Sequence, residues 1–150
     1  MIIAHKDLSY NLFSYIRILI IILIFLLQKM KTFTFEVMSG QDIEFVIGQN
    51  ARENTQIVQE SSPQDIWVHA GDGVSSCHVI AQLPDDDSIE ITKRDRLMIV
   101  KKGAVLCKEN TNKLKSQHHV PFIYTTIENV STTKIMGEVR IKGSTKTISI

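Results

Sequence analysis

From Lys31 onward apolar and polar residues alternate, Phe33, Phe35 and Val37 against Thr32, Thr34 and Glu36, which is the period of a strand buried on one face. The alternation starts abruptly, almost directly after an unbroken hydrocarbon run from Ile18 to Leu27. No single fold element accommodates both patterns, so the 150-residue chain divides near Met30.

A membrane-spanning helix needs roughly 20 predominantly apolar residues. Leu8 to Leu27 reaches that length only by carrying Arg17 near its centre, at a cost of about 2.5 to 3.5 kcal/mol. A secretory signal would need a small-residue cleavage site, and Gln28-Lys29-Met30-Lys31 offers none. Residues 1–29 are therefore read as an apolar N-terminal segment with two readings open: a membrane anchor over residues 8–27, or sequence ahead of a true start at Met30. Residues 30–150 read as one domain, without a long linker, low-complexity tract or internal repeat.

Within that domain, Phe33 to Val37 and Ile43 to Ile47 are expected as strands across the turn Met38-Ser39-Gly40-Gln41. Gly48 releases the chain into a helix with Asn50 as N-cap and Glu53 three residues on, and Ser61-Ser62-Pro63 ends it. Ile66 to Ala70 and Cys77 to Leu83 are the next strands. A second helix opens at Thr92, with Leu97, Val100, Ala104 and Cys107 as its apolar stripe. Val120 to Ile127, Gly137 to Ile141 and Lys146 to Ile150 complete the sheet, the last two joined through residues 142–145. The expected class is α+β, a mainly antiparallel sheet with two principal helices.

Net charge is +1, but the charge is segregated. Between Glu36 and Glu90 eleven acids face one base, Arg52, whereas from Ile91 to Ile150 twelve bases face four acids. Lys93, Arg94, Arg96, Lys101, Lys102, Lys108, Lys113 and Lys115 concentrate on and just after the second helix, followed by His118 and His119. Such a segment is either a solvated helix face or an electrostatic footprint for phosphates. An acidic docking surface over residues 36–90 for a protein partner is a further reading.

The run Asp65-Ile66-Trp67-Val68-His69, followed by Ser75-Ser76-Cys77-His78-Val79-Ile80, puts an indole and two imidazoles on adjacent strands. The period of two sends Ile66 and Val68 to one face and Trp67 and His69 to the other, with His69 close to His78 if the strands pair. Such rings either stack a base or ribose, or fill the core and tie down strand ends. Asp65, His69, Cys77 and His78 match no standard metal spacing, and consecutive Cys77 and His78 face opposite ways in a strand. Neither a G-x-S-x-G elbow nor a phosphate loop is present. Two cysteines, Cys77 and Cys107, are too few for a disulfide framework. No catalytic residue, metal or cofactor is expected.

These two runs, together with Gly48-Gln49-Asn50-Ala51-Arg52-Glu53-Asn54, resemble the NFACT-R domain, the RNA-binding domain of the NFACT proteins of ribosome-associated quality control. The likeness extends from about Phe33 to Ile150, through Val120-Pro121-Phe122-Ile123-Tyr124-Thr125 and Met136-Gly137-Glu138-Val139. It departs at Gln49, where the family usually has a basic residue, and at Val68, where it usually has an aromatic or larger aliphatic one, and both departures bear on affinity for RNA. The resemblance implies a stand-alone, non-catalytic, cytoplasmic RNA-binding module. Its partners would be tRNA or ribosomal RNA, with the large ribosomal subunit as a wider partner. Trp67, His69 and His78 would contact bases or ribose and the bases from Lys93 to Lys115 would contact phosphates. Gly48, Asn50, Asn54 and Asp65 would be structural members of the motifs. The alternative is a membrane-anchored DNA- or protein-binding adaptor.

Overall fold

The structure is a computed structural model and describes residues 7–26 and 30–150. Helix α1 runs over Asp7–Leu26, and its residues 12–23 are exposed on every side. The membrane span read over residues 8–27 finds no support. Leu27 lies outside the described residues, and among those described no helix is long and apolar enough to cross a membrane. Arg17 splits α1, leaving its unbroken apolar stretch to begin only at Ile18.

Strands β1 (Lys31–Glu36) and β2 (Asp42–Gly48) form the expected hairpin, turned at Gly40 with φ +81°. Helix α2 (Ala51–Glu60) follows, then β3 (Ile66–Ala70), β4 (His78–Gln82) and helix α3 (Lys93–Glu109). Thr92 caps α3 in a reciprocal box with Asp95, which satisfies the first orphan donors of the helix. After a 3₁₀ turn come β5 (Pro121–Thr126), a second 3₁₀ turn, β6 (Val130–Thr132), β7 (Val139–Ile141) and β8 (Lys146–Ser149). The main sheet is antiparallel throughout, in the order β1-β2-β4-β3-β5-β8.

Each face of this sheet buries its own cluster. Phe45, Val68, Val79, Ala81 and Phe122 pack with Ile99, Val100, Ala104 and Cys107 of α3. Gly103 permits that closeness, since a Cβ there would meet Val68 Cγ2 at 2.9 Å. On the opposite face Trp67 and Ile80 pack with Ile57 and Val58 of α2 and with Val130.

Two expectations are corrected. Leu97 does not belong to the buried stripe of α3; it is exposed, and the stripe pairs residues 99 and 100, 103 and 104, 106 and 107. The two C-terminal strands do not form a hairpin either. β7 pairs with β6 in a separate two-stranded sheet, Val130 opposite Ile141, whereas β8 joins β5, Phe122 opposite Ile148. Val130 with Val139 and Ile141 finds apolar partners over Trp67, and the turn at Gly143, φ +76°, carries the chain back to the main sheet.

Candidate nucleic-acid interface

The pairing of β3 with β4 sets Val68 opposite Val79 and Trp67 opposite Ile80, and the next step brings His69 beside His78, with ring centroids 4.8 Å apart. Trp67 lies parallel to His69, centroids 5.5 Å apart and planes at 5°, and edge-on to His78. The Trp67 indole N–H donates to His78 Nδ1 at 3.2 Å. His78 is therefore an acceptor at Nδ1 and carries its proton on Nε2. Burial, helped by His69, pushes His78 down to about 3, so the ring is neutral at any ordinary pH. His69 Nδ1 meets the Ala70 carbonyl oxygen at 2.8 Å, and because a carbonyl only accepts, that nitrogen bears the proton and Nε2 keeps its lone pair. Burial lowers His69 as well; the Ala70 carbonyl opposes this and the Lys113 ammonium adds to it.

Trp67 and His78 are only 1% and 2% exposed, whereas His69 is half-buried. Neither of the two buried rings offers a free face for stacking; they form the wall that fixes His69. All three border an open cleft of about 880 Å³, closed on its other sides by the start of α2, the loop before β4, Asn110 to Lys113 and the turn before β7.

The four motif residues outside the rings hold that wall together. Asn50 caps α2, its side-chain oxygen accepting from Glu53 N at 2.9 Å. Asn54 Oδ1 accepts from His78 N at 3.0 Å. A Cβ at Gly48 would overlap Asn54 Oδ1 and approach its backbone N to 2.8 Å, so only glycine lets α2 sit low enough for that bond. Asp65 is buried and accepts from Ser62 N and Leu83 N, both at 2.9 Å, clamping the entry to β3 against the exit of β4. Burial pushes its carboxyl up, against the pull of those two N–H groups.

The basic segment does not converge on this cleft. α3 lies across the opposite face, and of the eight bases from Lys93 to Lys115 only Lys113 borders the cleft with His69. Lys102 Nζ sits 4.3 Å from the centre of the Phe33 ring, and Lys108 Nζ donates to the Ile150 carbonyl oxygen at 3.4 Å, so both are engaged within the fold. Arg94, Lys101 and Lys115 are exposed. Lys93 and Arg96 border a second cleft, of about 600 Å³, together with Leu97, Tyr124, Asn129 and Lys146. Lys146 stands opposite Tyr124 across β5 and β8. Lys93, Arg96 and Lys146 make no side-chain hydrogen bond or ion pair among the described residues. Tyr124 and Lys146 were invisible as partners in the sequence, because only the strand register brings them together. Among the described residues no group of three or more His, Cys, Asp or Glu side chains converges as metal ligands would.

A family model described as the NFACT protein RNA binding domain matches residues 30–147. The chain belongs to the NFACT-R family. The mouse (Mus musculus) protein named coiled-coil domain-containing protein 25 is 29% identical over 104 residues, which cover 69% of this chain and 48% of that protein. The chain thus spans about half the length of this relative. Among solved structures, the C-terminal part of the fibronectin/fibrinogen-binding protein from Streptococcus suis superposes with a TM-score of 0.61 at 17% identity, covering 82% of this chain and 46% of that one. At that identity the likeness is one of fold. As an NFACT-R domain the chain carries an RNA-binding module.

Proposed function

We propose that this NFACT-R domain is a non-catalytic module that binds tRNA or ribosomal RNA, with the large ribosomal subunit as its wider partner. Two different surfaces share the work. Lys93, Arg96 and Lys146, with Arg94 and Lys101 beside them, meet phosphates on the α3 face. His69 and Lys113 meet an unstacked base or ribose in the Trp67 cleft, where Trp67 and His78 act by holding His69. The observation that supports this most is the cleft of three cations with no counter-charge among the described residues, in a chain whose family binds RNA. The nearly neutral first cleft, by contrast, suits a nucleobase better than a phosphate.

Fluorescence anisotropy with labelled tRNA at 50 and 200 mM salt tests the reading, with single-stranded RNA and duplex DNA as competitors. Binding should weaken steeply with salt, the slope falling by about 0.7 to 0.9 for each phosphate contact removed in Arg96→Glu and Lys146→Glu. Lys113→Glu should lower affinity with less change in slope than the α3-face pair. No binding at low salt, or a salt-independent signal, ends the proposal, and better competition by duplex DNA than by either RNA transfers it to DNA.

A further inference from the structure

Cys77 and Cys107 are separated by thirty residues, and their sulfurs lie 3.7 Å apart across the boundary between β4 and α3. Cys77 Sγ is 3.5 Å from the Cys107 carbonyl oxygen and Cys107 Sγ is 3.2 Å from the Cys77 carbonyl oxygen, a reciprocal arrangement that keeps each thiol aimed at the other residue. Both are free and buried, but not equally: Cys77 is 7% exposed and borders the Trp67 cleft, whereas Cys107 is 0% exposed behind it. A small oxidant entering the cleft therefore meets Cys77 first.

We propose that Cys77 and Cys107 are a peroxide-responsive dithiol, in which a hydroperoxide oxidises Cys77 and Cys107 closes a disulfide upon it. The Cys77 sulfur attacks the peroxide O–O bond; an S–O bond forms, the O–O bond breaks, and the Cys77 proton leaves with the departing oxygen as an alcohol or water. The Cys107 sulfur then attacks Cys77, forming S–S and releasing the sulfenic oxygen as water with the Cys107 proton. Two thiols and one peroxide become one disulfide, one alcohol or water, and one water.

The division of roles follows the placement of the two sulfurs, Cys77 at the cleft and Cys107 behind it. The contact with Cys107 holds the Cys77 thiol below its ordinary range, against the opposing effect of burial. The same contact, together with burial, pushes Cys107 upward. Cys77, at the cleft, is thus placed as the nucleophile and Cys107, behind it, as the resolving partner. A disulfide sulfur pair sits at about 2.05 Å, so the sulfurs would close by roughly 1.7 Å from the observed 3.7 Å. That contraction pulls on Ser76 and His78, the neighbours of Cys77 in the cleft wall. It also pulls on Thr111, whose hydroxyl accepts from Cys77 N at 3.1 Å.

The test uses the reduced full chain treated with one to ten equivalents of hydrogen peroxide, quenched with N-ethylmaleimide, digested without reduction and mapped by mass spectrometry. The expected result is an intramolecular Cys77–Cys107 peptide that dithiothreitol reverses, with both thiols lost together. In Cys107→Ser, dimedone should label Cys77, roughly tenfold faster than it labels Cys107 in Cys77→Ser. Both thiols still free after excess peroxide in the folded wild-type chain, or links only between molecules, would overturn the proposal. The wild-type map decides this even if the serine variants fail to fold.

Discussion

The buried His78 makes a prediction about stability that its neighbours let one work through. In the unfolded chain an imidazole titrates near its ordinary 6.5, whereas His78 in the folded protein is pushed down to about 3 by burial and by His69. The unfolded state therefore binds more protons everywhere between those values, so stability rises with pH across the window and is lost as pH falls through it. From pH 7 to pH 5 the unfolded imidazole takes up most of a proton and His78 takes up almost none. Integrating that difference at about 1.4 kcal/mol per pH unit gives a loss of about 2 kcal/mol. His69, also lowered, adds to the loss with the same sign. Asp65, whose carboxyl is pushed up, acts with the opposite sign, and keeping the range at pH 5 and above leaves most of the ordinary carboxylate titration outside it. Urea unfolding followed by circular dichroism at pH 7, 6 and 5 measures the effect directly. His78→Asn is the matched variant, because its Oδ1 can occupy the position of Nδ1 and accept from Trp67 while having no proton to gain. Wild type should lose about 2 kcal/mol more than His78→Asn between pH 7 and 5. Equal pH dependence in the two proteins would refute the assignment of the shift to His78.

Three further outcomes follow from the same geometry. Gly48→Ala should cost about 1 to 3 kcal/mol in urea unfolding, because its methyl can be accommodated only by lifting Asn54 off His78 N; a change within 0.5 kcal/mol, the size of an ordinary surface substitution, would mean that α2 is not packed as described. Trp67→Phe removes the donor to His78 Nδ1 while keeping an apolar ring, so it should destabilise by about 1 to 3 kcal/mol yet weaken RNA binding by the folded protein no more than His69→Ala does; a larger loss of affinity would make Trp67 a direct contact. Combining His69→Ala with Arg96→Glu should weaken RNA binding additively, within about 0.5 kcal/mol, since the two residues belong to opposite faces of the sheet. Strong non-additivity would instead indicate a single shared contact.

What the sequence reveals and conceals can be followed residue by residue. The β1–β2 hairpin, the Asn50 cap of α2, the Thr92 start of α3 and the opposition of Trp67 and His69 to Ile66 and Val68 are all local, fixed by period and capping chemistry within a few residues. Leu97 misleads because helical spacing defines a stripe without fixing its centre; the sheet chose Ile99 and Leu106 instead. The separate β6–β7 sheet was concealed because a three-residue strand carries almost no periodic signal, and a cluster over Trp67, not a turn, selects its partner. Likewise the cation cleft needs the Tyr124–Lys146 register, and the thiol pair needs α3 laid over β4. Both are long-range facts.

The separation of the two clefts follows from the same sheet physics. A helix packed on a sheet presents its charged side chains outward, so the bases of α3 can reach solvent on one face only, while period-two alternation commits Trp67 and His69 to the other. Of the bases from Lys93 to Lys115, it is Lys113, where α3 has ended and the chain turns through Asn112–Leu114 around the sheet, that arrives beside the histidines. A ligand gripped by both surfaces must therefore pass around the domain, and one that touches a single face meets either charge or rings. RNA that is folded, offering a phosphate surface and a splayed base some distance apart, satisfies both; a short single strand satisfies one. If both surfaces bind as proposed, competition should favour structured RNA over a short oligonucleotide, and equal competition by the two would count against a two-sided contact.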